Sequence, residues 1–171
     1  MTVFFYIAAI VAVLSTVLAL TRRNAMHALL YLIVSLLSIA TVFLLMGAYL
    51  VAALEVIIYA GAIMVFFIFV IMMLNIAEAP IPKGADWISP QVWIGPAILS
   101  MVLAIELFTI LAKGGTGEGF AGVTSKQVGI ALYGPYMLGV ELASLLLLAG
   151  LVGAFHLGRR EDSPPREGEG G

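Results

Sequence analysis

The stretch from Tyr49 to Leu74 constrains the fold more than any other part of this sequence. Its side chains are apolar apart from Glu55, the only Asp, Glu, Lys or Arg between Arg23 and Glu78. As a helix the stretch would be about 39 Å long, which exceeds the hydrocarbon layer of about 30 Å. A lone carboxylate in such a segment costs several kcal/mol unless it is neutralised or paired. We therefore expect a membrane-spanning helix whose acid finds its partner outside this chain or along a water path.

The composition supports an integral membrane protein. The chain is 63 % hydrophobic and 11 % charged, whereas soluble domains are about 45–50 % apolar and about 25 % charged. No basic stripe is present, so no nucleic-acid binding is expected. Without cysteine, the chain offers no disulfide and no thiolate ligand for an iron–sulfur cluster. The two histidines, His27 and His156, lie far apart in sequence and are a poor basis for a haem site.

The apolar runs predict an all-α integral membrane protein with five transmembrane helices. We place these spans at about residues 3–20, 28–46, 49–74, 91–112 and 136–157, in one transmembrane domain of residues 1–158. The first run follows no positive charge, so we interpret it as a retained helix and not as a secretory signal. The short Gly47-Ala48 link predicts an antiparallel hairpin of spans two and three. Residues 159–171 are expected to be a disordered cytoplasmic tail.

The distribution of basic residues predicts the orientation. Positive residues concentrate in the segments that an N-terminus-out, C-terminus-in arrangement places in the cytoplasm. These are Arg22, Arg23, Lys83, Arg159, Arg160 and Arg166, against Lys113 and Lys126 on the other side.

Local signals indicate how individual helices begin and pack. Ala8, Ala12 and Thr16 form a small-residue stripe that is typical of close helix–helix contact, although alanines that only fill a lipid-facing helix are equally compatible with it. Asn24 is positioned to cap the second span. In the glycine-rich segment before the fifth span, residues 125–132 are expected to form a short amphipathic helix.

Three acids remain as candidate functional residues: Glu55, Glu106 and Glu141, each on a different span. Glu55 shares a helix face with Tyr59, four residues on. It could relay protons or simply be protonated at a helix interface, and the residues leave both possibilities open. We expect Glu106 to reach the outer interface or to form a local hydrogen bond. Ser144, three residues after Glu141, could hydrogen-bond to it.

The third span also has a glycine, Gly61, at its centre. Surplus length together with Gly61 allows the helix to tilt, to kink or to take up an extra residue as a π-bulge. From the residues alone we favour tilt.

Motifs for nucleotide binding, dinucleotide binding and metal ligation are absent from the sequence, so no catalytic, cofactor or metal site is expected in this chain.

Several segments resemble a known family. Residues 24–34, 54–74, 91–100 and 128–158, and above all the YAGAIMV run that begins at Tyr59, are similar to the subunit J family of bacterial NADH-quinone oxidoreductase, respiratory complex I. The mitochondrial counterpart is NADH dehydrogenase subunit 6.

The resemblance implies a membrane-arm subunit, in the bacterial inner membrane, that couples quinone reduction to proton translocation. It implies neighbours among chains A, H, K and N, with FMN, iron–sulfur clusters and quinone held elsewhere in the assembled complex. It further implies a π-bulge in the third span around residues 59–65, which switches during turnover. Tyr59, Gly61 and Val65 match positions near that hinge, and Glu55 matches an acid close to it.

Two other functions are compatible with a chain of five apolar helices. The chain could belong to a multisubunit cation/proton antiporter without redox chemistry, because the membrane chains of such antiporters are related to those of complex I. A free-standing five-helix channel is disfavoured by the lack of an internal repeat or of paired embedded charges.

Overall fold

The computed structural model describes residues 2–22, 24–74, 90–112 and 122–159. Its helices are α1 (Thr2–Thr21), α2 (Ala25–Leu45), α3 (Tyr49–Leu54), a π-helix (Glu55–Ile63), α4 (Met64–Leu74), α5 (Pro90–Ala112), α6 (Ser125–Tyr133) and α7 (Met137–Gly158). The segments α3, π-helix and α4 follow one another directly and are called the third span. Within the described ranges the chain has no strand.

Among the described residues, five helices are long and apolar enough to cross a membrane, which confirms the predicted all-α fold class. They are α1, α2, the third span, α5 and α7. Residues 160–171 of the predicted tail, and residues 75–89 between the third and fourth spans, lie outside the described residues. The chain divides into two compact units, Met1–Ser125 and Lys126–Gly171.

Helix α2 organises the first unit, since it contacts α1, the third span and α5. It begins with the predicted cap, in which the Asn24 side-chain oxygen accepts a hydrogen bond from the Met26 N–H at 2.9 Å. It ends at the link to the third span, where Gly47 takes the left-handed conformation with a φ of 78°. The Ala48 N–H then donates to the Phe43 carbonyl at 3.0 Å, closing the turn of the hairpin.

The interface between α1 and α2 is close and polar. The Ser38 hydroxyl donates to the Ala8 carbonyl at 2.5 Å, and the Ser35 hydroxyl to the Ala12 carbonyl at 3.2 Å. The hydroxyls of Thr16 and Ser35 lie 2.7 Å apart. These contacts confirm the small-residue stripe as a packing edge, because only side chains as small as alanine let a serine reach the opposing backbone.

Helix α5 packs on both α1 and α2. Leu103 joins Val11 and Val34 in a buried apolar cluster. Nearer the start of α5, Gly95 lies directly against the ring of Tyr31, so close that a Cβ there would overlap the Tyr31 hydroxyl. Tyr31 and Leu103 together fix the register of α5 along α2.

The second unit contains α6, which covers the predicted short helix, and α7. A tight turn joins the two helices. In it the Tyr136 N–H donates to the Ala131 carbonyl at 3.1 Å, and the Met137 N–H to the Gly134 carbonyl at 3.2 Å.

Candidate functional site

The third span changes its hydrogen-bond register twice. At the end of α3 the Glu55 N–H still bonds the Val51 carbonyl, four residues back, as well as that of Ala52. By the start of α4 the Met64 N–H bonds the Tyr59 carbonyl, five residues back, as well as that of Gly61. The nine residues between these points form a π-helix, Glu55–Ile63. Such segments inside α-helices occur frequently at functional sites.

This geometry corrects the expectation of a merely tilted helix. Surplus length requires the span to adapt, but it does not by itself decide between tilt and a change of register. Gly61 favours the second, since it lies in the π-helix where a Cβ would be only 3.1 Å from the Val56 carbonyl oxygen. The π-helix overlaps the implied range of residues 59–65, but it begins at Glu55 and ends at Ile63.

The four predicted hinge residues occupy different places on this element. Glu55 is the first residue of the π-helix and is half-buried. Tyr59 lies at its middle with 50 % of its surface exposed. Val65 lies beyond it, in α4, and is also 50 % exposed. Gly61, where an added Cβ would crowd the Val56 carbonyl oxygen, is half-buried.

Within the first unit, the structure does not join Glu55 to Glu106. Among the described residues of that unit, no hydrogen bond or ion pair connects Glu55 with Tyr59 or with Glu106. Glu55 lies on the third span, Glu106 on α5 and Glu141 on α7. A proton path from Glu55 to a second acid therefore requires water or side chains other than these.

Glu106 differs from its prediction. It is 3 % exposed, and neither carboxyl oxygen has a hydrogen-bond partner within the part of the chain that the structure describes. The expected reach to the interface is wrong because the side chain belongs to the packed face of α5. Leu103 and Ile110, three residues before it and four after it, are buried on that same face.

Glu141 is exposed on α7. The Ser144 hydroxyl does bond to this residue, but to its backbone carbonyl, at 2.7 Å. The bond that the spacing allows is therefore present through the backbone, since a serine in a helix readily satisfies its hydroxyl on a carbonyl of the preceding turn. The Glu141 carboxyl is left to other partners.

An apolar cleft of about 460 Å³ lies between α2, the third span and α5. It extends along one side of the third span as far as Val56, next to Glu55. Its polar side chains are Thr41, Tyr49 and Ser100. It can receive an apolar group of a lipid or a neighbouring helix, and none of the three acids lines it.

Sequence reasoning missed the buried polar residues of α2. Tyr31, Ser35 and Ser38 follow one another at spacings of four and three, so they share a face of an otherwise apolar helix. All three are buried, with 5 %, 2 % and 0 % of their surfaces exposed. The spacing is visible in the sequence and predicts a polar packing face once it is noticed.

The described residues contain no group of three or more His, Cys, Asp or Glu side chains placed to hold a metal ion. The absence of a metal site from the whole chain stays a prediction.

Comparison with known proteins adds an independent line of observation. Residues 15–157 match the family model described as NADH-ubiquinone/plastoquinone oxidoreductase chain 6. The chain is 54 % identical to the NADH-quinone oxidoreductase subunit J of Pseudomonas aeruginosa over 159 residues, which are 92 % of this chain and 96 % of the relative. It is 54 % identical to the subunit J of Escherichia coli K12 over 158 residues, 92 % of this chain and 86 % of the relative. For Buchnera aphidicola of Schizaphis graminum the identity is 46 %, over 92 % and 97 % of the two chains.

Proposed function

The chain belongs to the NADH-ubiquinone/plastoquinone oxidoreductase chain 6 family, and on that premise we propose that it is a membrane-arm subunit of a proton-pumping NADH–quinone oxidoreductase. In this proposal it couples quinone reduction to proton translocation through a switch in the third span. The observation that carries the proposal is the π-helix at Glu55–Ile63. The relatives named above give no support to a function as an antiporter subunit.

Helix geometry supports the proposed switch. An α-helix turns about 100° per residue, so removing the extra residue of a π turn rotates the helix beyond it by about that angle. Straightening the π-helix would therefore move Tyr59 and Val65 to new faces of the third span relative to α3. Groups on these faces would gain or lose contact with a water path that includes Glu55. A two-state element of this kind can link distant sites, because each site biases the same equilibrium.

The proposal gives this chain no redox chemistry of its own. FMN, iron–sulfur clusters and quinone would be held by other subunits of the complex, and the neighbours of this chain would be chains A, H, K and N. The chain would lie in the bacterial inner membrane with its N-terminus outside and its C-terminus in the cytoplasm, as the basic residues predict.

Membership in the complex is tested by purification. A tagged copy of this chain, extracted from membranes in mild detergent, is expected to carry NADH:quinone reductase activity with it. Recovery with cation/proton antiport activity after reconstitution, and without oxidation of NADH, would establish the alternative.

The coupling role is tested by Gly61→Leu. A branched side chain beside the Val56 carbonyl disfavours the π-helix, so proton pumping and quinone-linked turnover should fall. Oxidation of NADH by ferricyanide, which does not need the membrane arm, should be retained. Full pumping by the assembled variant would refute the switch while leaving membership in the complex intact.

A further inference from the structure

A row of hydroxyls follows the interface of α1 and α2, and all of them except that of Thr16 belong to buried residues. It consists of Ser15, Thr16, Ser35 and Ser38 and is called the seam. Ser35 and Ser38 donate across the interface to carbonyls of α1, and Thr16 bonds to Ser35. Ser15 is 0 % exposed, yet its hydroxyl has no partner among the described residues. The seam therefore has hydrogen-bonding capacity that protein groups leave unused.

Glu106 lies at the level of one end of the seam. Gly95 faces Tyr31, and further along Leu103 packs with Val34, so α5 runs in the same direction as α2. Glu106 is three residues past Leu103, about 4.5 Å along the axis. Ser38 is four residues past Val34, about 6 Å along α2.

Helix α1 runs the opposite way, as its bonds to α2 show, since Ala8 meets Ser38 while Ala12 meets Ser35. Ala8 lies three residues before Val11, so along the helix axes it has about the same height as Glu106. The unpartnered carboxyl and the hydrogen bond between Ser38 and Ala8 thus occupy one layer of the α1, α2 and α5 packing.

The surroundings of Glu106 disfavour a charged carboxylate. The titratable or charged side chains on the described parts of α1, α2 and the link between them are Tyr6, Arg22, His27 and Tyr31. Tyr6 is 60 % exposed. The Arg22 guanidinium lies 5.1 Å from the centre of the Tyr31 ring, beside Gly95, which is about 16 Å from Glu106 along α5. Helix α5 carries no second charged residue.

A side chain of another subunit cannot readily reach the carboxyl oxygens of Glu106 to form a hydrogen bond. With 3 % of its surface exposed, the side chain is already enclosed by this chain's own helices. A group that reaches its carboxyl must be small enough to fit inside the packed interface. A proton and a water molecule meet that requirement, and buried water typically makes two to four hydrogen bonds to polar groups that would otherwise be unsatisfied.

We propose that Glu106 and the seam form a buried proton-binding site, in which the carboxyl holds a proton and shares bound water with the Ser38 hydroxyl. The ligands are a proton and water. The Ser38 oxygen, which already donates to Ala8, keeps lone pairs that accept a bond from that water. The site is separate from the Glu55 face of the third span, and it does not depend on the proposed function.

The test is infrared spectroscopy of the purified complex that contains this chain. A protonated carboxyl gives a carbonyl-stretch band that a carboxylate lacks. We expect one such band to disappear in Glu106→Gln, a variant that keeps the size of the side chain and its neutral polarity. If the assembled variant retains every protonated-carboxyl band of the unaltered complex, the site does not hold a proton and the proposal is wrong.

The connection to the seam is tested by Ser38→Ala in a complex with Glu106 unaltered. The Glu106 band should shift in Ser38→Ala, because the shared water loses one of its partners. It should also shift on transfer from H₂O to D₂O. The matched control is Ser144→Ala, which removes a hydroxyl that bonds within α7 and should leave the band in place. A band that is indifferent to both Ser38→Ala and D₂O would refute the shared water. If Glu106→Gln does not assemble, a protonated-carboxyl band of the unaltered complex that shifts in Ser38→Ala but not in Ser144→Ala still locates a protonated carboxyl beside the seam, and the absence of any such band contradicts the site.

Discussion

A Cβ atom placed on Gly61 would lie 3.1 Å from the carbonyl oxygen of Val56, five residues back along the third span. That separation is tighter than most van der Waals contacts of a Cβ, so a side chain at position 61 requires the π-helix to adjust. The carbonyl belongs to the backbone of the same helix and cannot swing away as a side chain would. The residue at position 61 thus helps to set the balance between π and α registers.

We predict that Gly61→Ala shifts the third span toward a continuous α-helix. The added Cβ crowds the Val56 carbonyl oxygen in the π register, and overpacking typically costs about 1–3 kcal/mol. A structure of the assembled variant should show the Met64 N–H bonded to Ala60 in place of Tyr59, and proton pumping should decrease. Gly153→Ala is the matched control, because a Cβ there meets no atom within 4 Å. A π-helix that is unchanged in Gly61→Ala would contradict the prediction.

The sequence predicted those features that follow from the length and periodicity of apolar runs. Five long apolar helices, the capping by Asn24 and the packing edge around Ala8 all depend on local chemistry that one chain displays. The π-helix could not be derived in this way, because surplus length and a central glycine are also compatible with tilt. The resemblance to a family favoured a bulge over tilt, and the range that it implied, residues 59–65, overlaps the π-helix Glu55–Ile63.

The environment of Glu106 could not be predicted from the sequence, for a different reason. Its distance in sequence from Lys113 suggested a position near the interface, whereas its environment is set by which face of α5 packs on α1 and α2. That face is defined by Leu103 and Ile110, and in a helix that is apolar all round the sequence does not mark it. Tertiary packing decides what a side chain on such a helix contacts.

Gly95→Ala is predicted to displace the Tyr31 ring. A Cβ there would overlap the Tyr31 hydroxyl and lie 3.1 Å from the ring carbon that bears it. Overpacking of this kind typically costs about 1–3 kcal/mol, and it would also disturb the bond from Arg22 to the hydroxyl at 3.4 Å. The thermal stability of the purified complex should fall.

The double variant Gly95→Ala/Tyr31→Phe supplies the control for that prediction. Phenylalanine removes the overlapping hydroxyl, so the cost of the alanine should be smaller in this background than in the unaltered chain. Strictly additive losses of stability in the two single variants and the double variant would mean that the two residues do not meet.

Ala8→Leu is predicted to separate α1 from α2. Ala8 is 0 % exposed, and its carbonyl accepts the hydrogen bond from Ser38. A leucine at this position would force the two backbones apart and break that bond, so less of the chain should assemble into the complex on a native gel. Ala143→Leu makes the same change at an exposed position of α7 and should assemble better. Equal assembly of the two variants would contradict the close interface.

The last prediction separates a proton-carrying role of Glu55 from a structural one. Glu55→Gln keeps the size and hydrogen-bonding capacity of the side chain at the start of the π-helix, but it cannot bind and release a proton. If Glu55 relays protons, pumping per NADH oxidised should fall in Glu55→Gln, whereas the amount of assembled complex should stay the same. Glu55→Asp keeps a carboxyl and should recover part of the pumping, even though its shorter side chain packs less well. A purely structural role predicts the reverse order, since glutamine preserves the shape of glutamate better than aspartate does. Proton uptake and NADH oxidation measured together in reconstituted vesicles distinguish the two orders.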